Sequence, residues 1–187
     1  MNQKSFGGDC ARIGSKYARS TKDRLLKLSI LISPLLLSLP AGAQDASQTT
    51  VGSNIAVDSG LKVFYASDLK SAASLNVAAG ATAVIDVSGG QAINFSGNIN
   101  NAGSIYAVST NHGVTAANIG AQNIFNNAGG ILSSVAPTTL LNTMPNLIGN
   151  LSLNLSAVNN IINAGTISSS ANLAMTAGDS IVNSGPI

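Results

Sequence analysis

Histidine, cysteine and glutamate, the side chains that most often carry catalysis or bind metals, are rare in this chain. His112 is its only histidine, Cys10 is its only cysteine, and no glutamate occurs. A hydrolytic nucleophile needs a neighbouring base, and glycoside cleavage needs a pair of carboxylates. His112 lies in the turn-like stretch TNHG without a partner at a recognisable spacing, and nothing resembles Gly-x-Ser-x-Gly. We therefore expect no enzyme activity and no catalytic residue.

Metal and cofactor sites also lack their usual sequence patterns. The aspartates beyond residue 43 are scattered, at Asp45, Asp58, Asp68, Asp86 and Asp179. A calcium-binding nonapeptide would read Gly-Gly-x-Gly-x-Asp, and SGGQAI at 88–93 departs from it after two glycines. We expect no bound metal and no cofactor.

One motif recurs four times, in the order apolar residue, asparagine, small residue, glycine and isoleucine. Its copies are INNAGSI (99–105), FNNAGGI (125–131), IINAGTI (161–167) and IVNSGPI (181–187). Asparagine tolerates the left-handed backbone region and bonds nearby backbone groups, and glycine accepts positive φ, so both suit a corner. The pattern predicts repeat corners at Asn101, Gly103, Asn127, Gly129, Asn163, Gly165, Asn183 and Gly185. The residue two before each asparagine is predicted to point into the core, at Ile99, Phe125, Ile161 and Ile181. Stacked asparagines at these corners would form a ladder of amide hydrogen bonds.

The spacing of the motif indicates the fold. Aligned on their asparagines, the copies are 26, 36 and 20 residues apart, and about 20 residues is typical of one coil of a parallel β-helix. The 36-residue step contains the Pro-containing segment 137–152, which accounts for its excess as a loop insertion. Short apolar clusters with alternating positions, bounded by Gly, Asn, Asp or Ser, recur from residue 60 onward and predict strands. The predicted fold class is all-β, a right-handed parallel β-helix (β-solenoid) with about 20 residues per coil over residues 60–187.

The first 43 residues have the composition of a secretory signal peptide. Seven of the nine basic residues precede residue 28, and the apolar run 28–39 and Ala41-Gly42-Ala43 follow them. That order of basic, apolar and small residues predicts cleavage before Gln44. The apolar run is shorter than the roughly 20 residues of a membrane-spanning helix and contains Pro34. We expect an exported protein, secreted or at the surface of a bacterial cell, with no membrane span after cleavage.

Beyond the predicted cleavage site the chain is nearly uncharged. Residues 44–187 contain Lys62 and Lys70, five aspartates, no arginine and no cysteine. The basic footprint of a nucleic-acid-binding protein is therefore missing, and we expect no nucleic-acid partner. Without disulfides, stability must come from burial and backbone pairing. Residues 44–59 are polar and turn-rich and are interpreted as a leader before the solenoid.

The last repeats resemble a known family of exported proteins. The stretch ANLAMTAGDSIVNSGPI (171–187), preceded by NIINAGTISSS (160–170), resembles the repeats of filamentous haemagglutinin-like adhesins. The resemblance covers about residues 97–187. It implies a right-handed β-helix, export through a signal peptide and an outer-membrane secretion partner, and a function in adhesion or as the stalk of a contact-dependent toxin. Because the sequence ends on the last isoleucine of a motif copy, we expect a truncated member or a fragment of such a protein.

Three functions follow from these observations as hypotheses. The leading one is a non-enzymatic adhesin-like β-solenoid that mediates surface attachment or cell-cell contact, with host or cell-surface glycans or proteins as partners. The insertion 137–152 is interpreted as a cap over the core in preference to a contact patch. The first alternative is a carbohydrate-active β-helix resembling a polysaccharide lyase. The second is a self-assembling structural surface protein that associates end to end through its uncapped edge.

Overall fold

A computed structural model describes residues 52–187 of the chain. The predicted signal peptide and the first half of the predicted leader, residues 44–51, lie outside the described residues. The second half contains the first strand (Asn54–Val57), so the solenoid begins before residue 60, where it was predicted to start. Within them, fifteen strands and one short helix follow one another along the chain. Three sheets are formed, and every pairing is parallel.

Sheet A has six strands and runs through the whole described length. Its strands in spatial order are β1 (Asn54–Val57), β3 (Ser74–Val77), β6 (Ile99–Asn101), β9 (Ile124–Asn126), β12 (Asn160–Asn163) and β15 (Ser180–Asn183). Sheet B has five strands, β2 (Leu61–Tyr65), β4 (Thr82–Asp86), β7 (Ser104–Val108), β10 (Ile131–Ser133) and β13 (Thr166–Ser168). Sheet C has four, β5 (Ile93–Asn94), β8 (Ala116–Ala121), β11 (Ser152–Ala157) and β14 (Leu173–Ala177).

The chain visits the sheets in the order A, B and C, and each round is one coil. Coil 1 comprises β1 and β2, coils 2 to 5 comprise β3–β5, β6–β8, β9–β11 and β12–β14, and coil 6 is β15. The predicted parallel β-solenoid is confirmed, with about six turns and coils about 23 residues apart. Bonded side chains of successive coils are 20 residues apart at both ends of the stack. They are 24, 25 and 37 residues apart between these ends.

Side-chain alternation explains why these short segments form strands. In β11 the leucines and the alanine face inward and the polar residues between them face outward, as the period of two in SLNLSA requires. Equivalent inward positions stack into columns, such as the aliphatic column of sheet A formed by Ile55, Leu75, Ile99, Ile124 and Ile161. All five of these side chains are buried. The core therefore consists mainly of aliphatic and small residues, with Phe64 and Phe95 as its two aromatic members.

The second copy of the motif is shifted by one residue from its predicted register. Asn126, and not Asn127, pairs with Asn101 and with Asn163. Phe125 was predicted to point inward, but Ile124 occupies the core position and Phe125 lies on the outer face. The doubled letters in FNNAGG allow two alignments one residue apart, and the strand alternation selects the other one.

The shift has a backbone cause in the turn after β9. Asn126 pairs with Asn101, and Ile131 pairs with Ser104. The segment from Asn126 to Ile131 nevertheless contains two more residues than the segment from Asn101 to Ser104. The extra residues form a turn in which Gly129 has a φ of 81°. Gly129 therefore lies in the inserted turn, and Gly130 takes the place equivalent to Gly103 and Gly165.

The segment between β10 and β11, here called the strap (residues 134–151), contains the helix α1 (Thr138–Thr143). Leu140 is only 2% exposed and packs with Val63, Val84 and Val108. These valines belong to β2, β4 and β7, so the strap covers the outer face of sheet B over the first three coils. The predicted cap therefore covers a second apolar cluster on the outside of a sheet, separate from the main core.

Candidate functional site

The corner asparagines form a buried ladder along the inner side of sheet A. Nδ2 of Asn101, Asn126 and Asn163 each donates to Oδ1 of the next asparagine at 2.7 Å, and the last acceptor is Asn183. The same three amides also donate to backbone carbonyls of the next coil, at Ile131 O (2.8 Å), Thr166 O (3.1 Å) and Pro186 O (3.4 Å). The ladder thus ties each coil to the next through both side-chain and backbone acceptors, which gives these asparagines a structural role.

Asn101 is the first residue of the ladder. The residue that pairs with Asn101 in the preceding coil is Val77, which has no polar group to offer. Oδ1 of Asn101 is consequently buried without a hydrogen-bond partner among the described residues. Such a group costs free energy, so the start of the ladder is its weakest point.

Of the corner asparagines and glycines for which positive φ was predicted, only Gly129 adopts it. Among the described residues, Asn146 is the only non-glycine residue with positive φ. Gly103, Gly165 and Gly185 do not have positive φ. Glycine is needed at these corners for a different reason. A Cβ atom on Gly165 would overlap the carbonyl oxygen of Gly130, and one on Gly185 would overlap that of Gly165. Close stacking of successive corners leaves no room for a side chain.

The histidine and the aspartates lie in separate parts of the solenoid. His112 is exposed in the turn after β7. Asp86 accepts a hydrogen bond from Ser88 N at 2.8 Å and so stabilises the turn that follows β4. Asp58, Asp68 and Asp179 lie in three other turns. Over residues 52–187 no group of three or more His, Cys, Asp or Glu side chains is placed to hold a metal ion.

The outer face of sheet A carries a polar row that crosses all six coils. The row consists of Asn54, Ser74, Asn98, Asn123, Asn160 and Ser180, one residue from each coil. Ser74 Oγ donates to Asn54 Oδ1 at 2.7 Å, and Asn123 Nδ2 donates to Asn98 Oδ1 at 2.9 Å. Ser180 Oγ donates to Asn160 Oδ1 at 2.6 Å. These bonds hold the side chains in fixed positions on an accessible surface.

A second row, two residues further along each strand, changes character halfway along the stack. It consists of Ala56, Asn76, Asn100, Phe125, Ile162 and Val182. Asn100 Nδ2 donates to Asn76 Oδ1 at 2.7 Å, and the next coil presents the half-buried ring of Phe125. Ile162 and Val182 are 39% and 51% exposed. The row therefore joins amides to a stripe of exposed apolar side chains.

The outer face of sheet A is uncharged and accessible, and we take it as the candidate binding face. None of the six strands of sheet A contains a charged residue. The corresponding apolar surface of sheet B is covered by the strap, whereas no described segment covers this one. The motif alignment missed this face because it assigned Phe125 to the core. Pairing the strands INN, IFN, NIIN and SIVN would have identified it.

Comparison with known proteins identified no relative of this chain. No protein-family model matches the chain, and neither a curated protein nor a solved structure matches it. Within the described part of the chain, no helix has the length and hydrophobicity needed to cross a membrane. The plain conclusion from the structure is that residues 52–187 form a β-helix repeat protein.

Proposed function

We propose that this chain is an exported, non-enzymatic adhesin-like β-solenoid that attaches to surfaces or neighbouring cells through the outer face of sheet A. The observation that carries the proposal is the pair of rows on that face. A row of amides and hydroxyls crosses all six coils, and beside it the second row presents the apolar side chains of Phe125, Ile162 and Val182 over the last three coils. The resemblance of residues 97–187 to filamentous haemagglutinin-like repeats agrees with this function, and the signal-like first 43 residues agree with export.

The physical argument rests on rigidity and on surface composition. A stack of parallel coils tied by side-chain ladders presents its outer residues at a strand spacing of about 4.8 Å. A partner that binds such a face loses its own freedom, while the face loses little, and this preorganisation favours affinity. Exposed apolar side chains rimmed by polar groups are typical of interaction surfaces. Ile162 and Val182, which lie beside the row of amides and hydroxyls, form a surface of this kind.

The test is attachment of beads coated with the full chain to cultured cells, counted under flow. Replacing both Phe125 and Ile162 with serine removes most of the apolar row and leaves the inward residues unchanged. We expect the double variant to lose most of the attachment. The matched control is Asn118→Ser, on the outer face of sheet C, which should attach like the unsubstituted chain. Equal attachment of the double variant, with an unchanged circular dichroism spectrum, would contradict the proposal.

A second candidate function is end-to-end self-association as a structural surface protein. It is favoured by β15, whose inward-facing Ile181 is 45% exposed although its partner Ile161 is fully buried. Pairing of this edge with another copy would bury Ile181 and satisfy the edge hydrogen-bonding groups. Sedimentation at increasing protein concentration tests it. An Ile181→Asp variant should stay monomeric where the unsubstituted chain forms larger species, and monomers throughout would exclude it.

A further inference from the structure

We infer that the ligand of the outer face of sheet A is a neutral, extended glycan, and that its central subsite is formed by Asn98, Asn100 and Phe125. The inference rests on the proposed function, because it names the partner of the same face. A sugar ring has an apolar face of C–H groups and a rim of hydroxyls that donate and accept hydrogen bonds. Recognition therefore calls for an apolar platform flanked by groups of both kinds.

Phe125 is the apolar platform. It is half-buried on the outer face of sheet A, and Asn100 pairs with it in the preceding coil. Its core-side neighbour Ile124 is fully buried and anchors the strand. An aromatic ring held in this way offers apolar area at little entropic cost.

The two amides beside Phe125 have complementary free atoms. Asn100 donates through Nδ2 to Asn76, and its Oδ1 receives no hydrogen bond from a described residue because the next coil presents Phe125 at that position. Asn98 accepts through Oδ1 from Asn123, and its Nδ2 has no bond to a described residue. The subsite therefore offers one acceptor and one donor, both fixed by the bond that each amide makes through its other atom.

The dimensions of the subsite match one sugar ring. Asn98 directly precedes β6, and Asn100 lies within β6 two residues, or about 7 Å, further along. Phe125 lies in the next coil, about 5 Å away. The next two coils place Ile162 and Val182 in the same row. The row thus has one apolar position per coil. A linear glycan that runs along the stack would contact these positions with successive sugar rings.

The absence of charge from this face selects a neutral glycan. The strands of sheet A contain no charged residue. The only lysines of the described part of the chain are Lys62 in β2 and Lys70 in the turn that follows β2. An acidic polysaccharide depends on cationic side chains for its affinity, and this face has none to provide.

The experiment measures binding of the full chain to immobilised neutral glycans, namely cello-oligosaccharides, mannan and galactan, and to the acidic glycans heparin and alginate. We expect binding to at least one neutral glycan that does not change between low and high salt. Phe125→Ala should weaken it by about tenfold or more. Asn100→Leu should weaken it too, whereas Asn118→Ala on sheet C should not.

Other outcomes overturn the inference. They are binding only to the acidic glycans, binding that Phe125→Ala leaves unchanged, and no binding to any of the three neutral glycans. The bead assay on cells separates this failure from failure of the proposed function. Attachment that Phe125 and Ile162 support, and that protease treatment of the cells abolishes, would leave the adhesive face in place and make its ligand a protein. If the unsubstituted chain does not attach to cells at all, both the proposed function and the glycan inference are refuted.

Discussion

Replacing Asn126 with leucine tests whether the buried asparagine ladder stabilises the solenoid. Asn126 accepts from Asn101 Nδ2 at 2.7 Å and donates to Asn163 Oδ1 at 2.7 Å and to Thr166 O at 3.1 Å. Leucine has a similar size but no polar group. The substitution leaves Asn163 Oδ1 buried without its donor, while Asn101 keeps only its bond to a backbone carbonyl.

The size of the effect follows from these groups. A buried polar atom that loses its partner costs about 1–3 kcal/mol. Asn126→Leu leaves Asn163 Oδ1 in that state and removes one of the two hydrogen bonds that Asn101 Nδ2 donates. Burial of the leucine side chain offsets part of this cost. We expect the free energy of unfolding to fall by about 2–4 kcal/mol, measured by urea denaturation with the slope of the transition compared between variants.

Asn100→Leu is the matched control, since Asn100 also belongs to an amide row but lies on the outer face. It donates one 2.7 Å hydrogen bond, to Asn76 Oδ1, and water is available to that acceptor. The expected cost is below about 1 kcal/mol. Equal costs for the two substitutions would refute the argument that burial of the ladder gives it its stabilising effect.

Asn126→Asp gives the same argument a pH dependence. A carboxylate cannot donate to Asn163 Oδ1, and burial raises the pKa of an aspartate above its unfolded value of about 3.9. The folded variant then binds a proton more tightly than the unfolded chain, so its stability falls as the pH rises. We expect the stability gap to the unsubstituted chain to be smallest near pH 4 and to widen toward pH 7. A gap that does not change with pH would contradict the raised pKa.

Three further substitutions test the corner, the strap and the start of the ladder by the same denaturation measurement. Gly165→Ala should cost at least about 2 kcal/mol because its Cβ would overlap a carbonyl of the preceding coil. The open position Gly149 should accept alanine within about 0.5 kcal/mol, and equal costs would contradict the close-stacking argument. Leu140→Ala, which empties the centre of the strap cluster, should cost about 2–3 kcal/mol, and a cost below about 0.5 kcal/mol would show that the strap does not stabilise sheet B. Val77→Asn supplies a donor to the buried, unpartnered oxygen in the next coil. It should therefore be at least about 1 kcal/mol less destabilising than Val57→Asn, which meets no such oxygen, and the reverse order would refute this.

The fold class was predictable because the coil is a local repeat. The motif copies around Asn163 and Asn183 are 20 residues apart, and the side chains of these two residues are bonded across that same separation. Inward residues such as Ile161 could be identified from alternation alone. What the pattern could not give was the register across a turn of different length. The choice between Asn126 and Asn127 depends on which strand residues pair, and pairing is a tertiary property.

The candidate binding face was missed for the same physical reason. Where two apolar residues are adjacent in a strand, the sequence alone does not indicate which of them faces outward. In LKVFY, Val63 and Phe64 are neighbours on one strand, and only Phe64 joins the main core while Val63 lies under the strap. In IFN, Ile124 takes the core position and leaves Phe125 outside. A strand of three to five residues carries too few letters to resolve such pairs without its neighbours.

The strap changes how the coils depend on one another. In a solenoid each coil touches only its neighbours, so order can spread from any point and end at any point. The strap follows β10 in the chain, yet it packs on β2, β4 and β7 through Leu140. The valines beneath it have no cover until the fourth coil has begun and the chain turns back. Folding of this region therefore includes one late, long-range closure. Once that closure is made, opening any of the first three coils at sheet B also breaks its contacts with the strap.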